Sequence, residues 1–135
     1  MVIKPYTHYK EHEILPLYES VGWSNYSEHP EMLCSAFAGS LCILAAYEDE
    51  HLVGIIRAVG DGHSILFIQD ILVYPAYQRK GIGTALMNAL LEKYQDVYQT
   101  ELATDHTEKT IAFYRSLGFC PLHEIGCCGF MKMRE

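Results

Sequence analysis

The chain has 135 residues, half of them hydrophobic and 20% charged, with a formal net charge of −7. That size and composition predict a single folded domain over 1–135 that buries about two thirds of its unfolded surface. The acid excess argues against nucleic acid or an anionic membrane as partner, and no apolar run reaches the roughly 20 residues needed to span a bilayer.

Taken in chain order, Val2 to Thr7 reads as a first strand. Glu11 to Val21 carries Ile14, Leu15, Leu17, Tyr18 and Val21 at helical spacing, with Gly22 as its end. Trp23 to His29 reads as a loop, and Pro30 is placed to open a second helix through Met32, Leu33, Ala36 and Phe37 that closes at Gly39-Ser40. Leu41 to Tyr47 and His51 to Val59 are apolar runs on either side of Glu48-Asp49-Glu50, the pattern of a hairpin. After a turn at Gly60-Asp61-Gly62, Ser64 to Val73 continues as a strand, so that three strands form an antiparallel meander. Gln69 and Asp70 interrupt the apolar run of that last strand; a bulge would account for them, since a buried polar pair needs partners.

From Ile82, apolar residues at Ala85, Leu86, Ala89, Leu90 and Tyr94 make a helical stripe. Thr100 to Thr104 is then expected as a short strand, Glu108 to Leu117 as a helix closed by Gly118, and Gly126 to Met133 as a final strand. Five cysteines, an odd number without a Cys-x-x-Cys pair, and an N-terminus lacking a signal-like apolar core predict a reduced, cytoplasmic location. The seven histidines are scattered along the chain, and no metal site is expected.

The chemistry concentrates where the third meander strand runs into the striped helix, at Gln78-Arg79-Lys80-Gly81-Ile82-Gly83-Thr84. The first turn of a helix leaves N–H groups without partners and carries positive potential, and glycines let a phosphate approach the backbone. Two nucleotide motifs are excluded: no Lys follows Gly83 as a P-loop requires, and Leu86 stands at the third glycine of the dinucleotide fingerprint.

The larger frame, Asp70 through Leu86 joined to Phe113-Tyr114-Arg115-Ser116-Leu117-Gly118-Phe119, resembles the GNAT superfamily of acyl-CoA-dependent N-acyltransferases. The family's signature, Gln/Arg-x-x-Gly-x-Gly/Ala, reads here as Gln78-x-x-Gly81-x-Gly83. The resemblance implies an α/β fold of the mixed α+β kind, in the order β-α-α-β-β-β-α-β-α-β, with a splayed parallel strand pair that admits the cofactor. It implies acetyl-CoA as co-substrate, with pantetheine on the backbone of Ile71, Leu72 and Val73. Gln78, Arg79, Lys80, Gly81, Ile82, Gly83 and Thr84 would hold the pyrophosphate.

In that frame Tyr114 would protonate the leaving thiolate, because a phenol stays protonated at neutral pH. The base is less legible: Phe67 and Gln69 align with the family's usual positions, which leaves Asp70 as the nearest carboxylate, with Glu28, His29 or a relaying water as rivals. Thr107 replaces a frequent Asn and can still cap its helix. Trp23 and Tyr26 are candidates to line the acceptor pocket. The reaction expected is direct acetyl transfer to a primary amine, favouring a small molecule over a protein N-terminus or lysine. A non-catalytic acyl-CoA-binding module is the contrasting reading. Pairing into a homodimer through the C-terminal segment is also open, as in other family members.

Overall fold

A computed structural model describes residues 1–134. The elements are β1 (Val2–Pro5), α1 (Glu11–Ser20), α2 (Ser24–Ser27), α3 (Pro30–Ala38), β2 (Cys42–Glu48), β3 (His51–Gly60), β4 (Ile65–Val73), α4 (Ile82–Lys93), β5 (Gln99–Leu102) and α5 (Glu108–Ser116). Short 3₁₀ turns cover Pro75–Tyr77 and Leu122–Ile125. The chain divides into two compact units, Met1–Ala103 and the segment from Thr104 onward.

The first unit is built on one five-stranded sheet in the order β1-β2-β3-β4-β5. Strands β1 to β4 pair antiparallel, and β5 lies parallel to β4, as a helical crossover through α4 requires. The hairpin between β2 and β3 turns on Asp49 and Glu50, both at positive φ, the backbone twist that suits a two-residue connection.

The register assigns the two faces of the sheet. Ile43, Ala45, Ile55 and Leu72 join Ile14, Leu17, Tyr18, Leu33 and Phe37 of α1 and α3 in one core. The opposite face is covered by α4, whose Leu86, Met87 and Leu90 are fully buried. Gly54 is needed there because a Cβ would lie 2.8 Å from the Leu72 carbonyl oxygen and 3.4 Å from the Leu86 side chain.

Two expectations are corrected. Within the stretch Trp23 to His29 the chain forms one helical turn, α2, which is too short to leave a periodic signature. The final strand expected over Gly126 to Met133 does not form: alternation supplies faces but not a partner, and the segment joins no ladder. There Phe130, Met131 and Met133 are exposed. The second unit is held by α5, whose Thr107 side chain accepts a hydrogen bond from the Thr110 N–H at 3.1 Å, as the cap expected of it.

Candidate active site

The β4 strand parts from its parallel neighbour halfway along. Pairing with β5 runs only from Ile65 to Ile68, opposite Gln99 to Leu102, while pairing with β3 continues to Val73. Backbone groups alternate sides along a strand. The Tyr74 N–H donates to the Val53 carbonyl of β3 at 2.9 Å. The Leu72 groups therefore point toward β3 too, and those of Ile71 and Val73 point to the side that β5 has left. An extended amide chain can add to such an open edge. An outward N–H at Val73 can also meet a developing oxyanion, a contribution of about 3 kcal/mol per donor in a dry site.

The open edge leads into the glycine loop. Gln78 Nε2 donates to the Val73 carbonyl at 3.0 Å, tying the loop to the strand end. Arg79 and Gly81 take positive φ values of 63° and 82°, which turn the chain sharply into α4. The Gly81 position has free space around it, so its requirement is conformational rather than steric. No side chain caps α4, and its first ladder bond runs from the Ala85 N–H to the Gly81 carbonyl. The N–H groups of Ile82, Gly83 and Thr84 thus precede the ladder and are available to an anion. Arg79 and Lys80 are exposed beside them, with the Lys80 ammonium 5.4 Å from the Tyr77 ring centroid. All ten residues expected to hold the cofactor therefore lie on one continuous path from β4 to α4.

Asp70 is placed differently from an ordinary strand carboxylate. Gln69 has no partner on β3, because Ile68 stands opposite Ala58 and Asp70 stands opposite Arg57. This is the bulge that the polar pair required. It brings Asp70 to the face of Tyr18, where the carboxylate Oδ2 accepts from Arg57 Nε and from the Tyr18 hydroxyl, each at 2.8 Å. Arg57 and Asp70 are 4% and 2% exposed, so the pair is shielded from solvent. Arg57 Nη1 also donates to Ser40 Oγ at 3.2 Å, and its guanidinium lies 5.7 Å from the centroid of Phe37. Burial alone would lower the Arg57 pKa and is the largest single influence, but the charge and hydrogen bond of Asp70, with smaller contributions from Tyr18, together outweigh it and the net direction is upward. Burial, and then the same carboxylate, push the Tyr18 phenol up. Neither Arg57 nor Tyr18 stood out as a functional residue in the sequence, although a lone Arg in the apolar run His51–Gly60 faced a lone Asp in the next one.

An aromatic cluster borders this network. The Tyr18 ring packs against Trp23 at 6.1 Å and Tyr26 at 5.3 Å, and the Tyr26 hydroxyl accepts from Gln69 Nε2 at 3.3 Å. The bulged residue is thereby linked to the loop where acceptor contacts were expected. Glu28 and His29 are exposed.

In the second unit Tyr114 packs edge-on against Phe119 at 6.0 Å, and its carbonyl accepts from the Phe119 N–H at 3.0 Å. The Phe-Tyr and Gly-Phe pairs thus form one local structure at the end of α5. Burial pushes the Tyr114 phenol up, partly offset by the Thr104 side chain.

The family model of the acetyltransferase (GNAT) family matches residues 7–119. An acetyltransferase of the GNAT family from Streptococcus pneumoniae TIGR4 is 44% identical, with a TM-score of 0.90 over 98% of this chain and 97% of its own. An aminoglycoside 6'-N-acetyltransferase from Acinetobacter haemolyticus, 23% identical with a TM-score of 0.72 over the whole of both chains, shares the fold. The GCN5-related N-acetyltransferase 1, chloroplastic, of Arabidopsis thaliana is 37% identical over 50% of this chain, a match that spans only 34% of that relative's length. With its family match extending from just after β1 through the Gly118-Phe119 pair, this chain belongs to the acetyltransferase (GNAT) family.

Proposed function

We propose that the chain transfers an acetyl group from acetyl-CoA directly to a primary amine, with a small molecule as acceptor. The observation that carries the reading is the open β4 edge, which ends in an uncapped helix start flanked by Arg79 and Lys80. Acetyl-CoA supplies an activated thioester, and its pantetheine amides and pyrophosphate match the donors and acceptors this path offers.

In this reading the backbone of Ile71 and Val73 orients the cofactor, with Leu72 holding β4 to β3. The loop from Gln78 to Thr84 takes the pyrophosphate, and Tyr114 gives a proton to the departing thiolate. Asp70 has its Oδ2 occupied and lies buried, so the amine proton leaves through water at the Gln69–Tyr26 edge. The half-buried faces of Trp23 and Tyr26 favour a cationic or aromatic amine. All five cysteines are free, which supports a reduced, cytoplasmic setting.

Calorimetric titration with acetyl-CoA, run in parallel on the Gly81→Trp variant, tests the cofactor site. A side chain at a φ of 82° costs on the order of 1–2 kcal/mol, with open space around it, so the variant should still fold while its indole blocks the loop. Saturable binding by the wild type and none by the folded variant is the expected result. No binding by folded wild type would sink the proposal. A panel of arylalkylamines, polyamines, aminoglycosides and peptides then reads the acceptor class from CoA release. Binding without release above background hydrolysis would identify a non-catalytic acyl-CoA-binding module instead.

A further inference from the structure

The bulge at Gln69 lies at the point where β4 leaves β5, one residue past the last parallel pair at Ile68 and Leu102. It decides which side every later residue of β4 faces. Before it, Leu66 and Ile68 stand opposite Gly60 and Ala58; after it, Asp70 and Leu72 stand opposite Arg57 and Ile55, on the other face. Without the extra residue, Asp70 would come opposite Ile56, on the face that α4 covers with Leu86, Met87 and Leu90. A carboxylate in that apolar layer would lose both of its donors, and Arg57 would lose its counter-charge.

We infer that Arg57 and Asp70 are positioning residues whose pairing selects the bulged register and so determines which backbone groups of β4 face the cofactor. A slip of one residue flips side chains and backbone groups together. In the observed register Leu72 bonds toward β3, and the N–H groups of Ile71 and Val73 point outward. In the slipped register Ile71 and Val73 bond toward β3, and the outward groups are those of Asp70 and Leu72. The N–H suited to the thioester carbonyl would be lost with no change to any residue of the glycine loop. This role rests on the proposed function only where it concerns the cofactor, since the register belongs to the protein alone.

The test compares residue-resolved amide exchange of the unliganded wild type with that of the Arg57→Met/Asp70→Leu double variant. The double variant is chosen because replacing a buried ion pair with apolar side chains is often tolerated, whereas removing one partner strands a charge. In the wild type the Leu72 amide should be protected and those of Ile71 and Val73 labile. In the folded double variant the pattern should invert or average between the two, and acetyl-CoA affinity should fall roughly tenfold or more, as loss of one or two backbone hydrogen bonds predicts. Tyr18→Phe, which keeps the ion pair, should retain the wild-type pattern. A folded double variant with the wild-type exchange pattern would overturn the inference, as would a double variant with inverted exchange and undiminished affinity. Failure of the wild type to bind acetyl-CoA, with the inversion still seen, would remove the acetyltransferase reading and leave the register lock standing.

Discussion

At the residue scale, the assignment of Tyr114 makes two demands that a buried structural tyrosine does not. Its proton must be present throughout the working range, and its loss must appear in turnover rather than in binding. Burial raises its pKa from the ordinary value of 10.0, so the hydroxyl is lost only above that pH. The acid form is therefore present at neutral pH, and any fall in rate due to Tyr114 ionising belongs above pH 10.0. Tyr114→Phe keeps the ring that meets Phe119 and removes only the donor. We expect kcat to drop by roughly 10²-fold with KM for acetyl-CoA little changed, the usual scale of general-acid catalysis. Steady-state kinetics with any amine that the panel reveals would check this; a variant with unchanged kcat would return Tyr114 to a packing role.

At the element scale, the β2–β3 hairpin shows where the local sequence does not suit its backbone. Asp49 and Glu50 occupy positive φ values of 47° and 70°, which Asn-Gly adopts with less strain. Asp49→Asn/Glu50→Gly should stabilise the fold by on the order of 1 kcal/mol, less the entropy that glycine adds to the unfolded chain, and leave acetyl-CoA binding unaltered. Thermal and urea melts would measure it, and a lower melting temperature would mean that the unfolded-state term dominates. The meander was legible from apolar runs bounded by turn residues, and α4 from a period-3.6 stripe within a helix of 12 residues. The interruption at Gln69-Asp70 was legible as a bulge, but its partner was not, because only the hairpin register puts Arg57 opposite Asp70. The four-residue α2 falls below any periodic signal. Gly126 to Met133 shows the reverse error, since a strand-like composition cannot reveal whether an edge is there to receive it. The path from Ile71 to Thr84 came through as a motif, whereas the sides to which its N–H groups point needed the pairing pattern.

At the scale of the whole molecule, the charge balance acts oppositely on the two proposed substrates. A net charge of −7 disfavours an anionic cofactor at long range and favours a cationic amine. Holding acetyl-CoA must therefore depend on groups in contact with it: the unpaired N–H donors at the start of α4, Arg79 and Lys80, and the open β4 edge. Those groups exist in that arrangement only in the folded chain, so binding should stabilise the fold by mass action. At a free concentration about 100 times Kd the gain is about 2.7 kcal/mol, which for a chain of this size raises the melting temperature by roughly 10 °C. The same excess should leave Gly81→Trp near its unliganded melting temperature, because its loop is blocked while its sheet is intact. Scanning calorimetry of both proteins with and without acetyl-CoA distinguishes the cases. Equal stabilisation of both would mean that the ligand is held away from the glycine loop, and the phosphate-binding assignment of Gln78 to Thr84 would have to be abandoned.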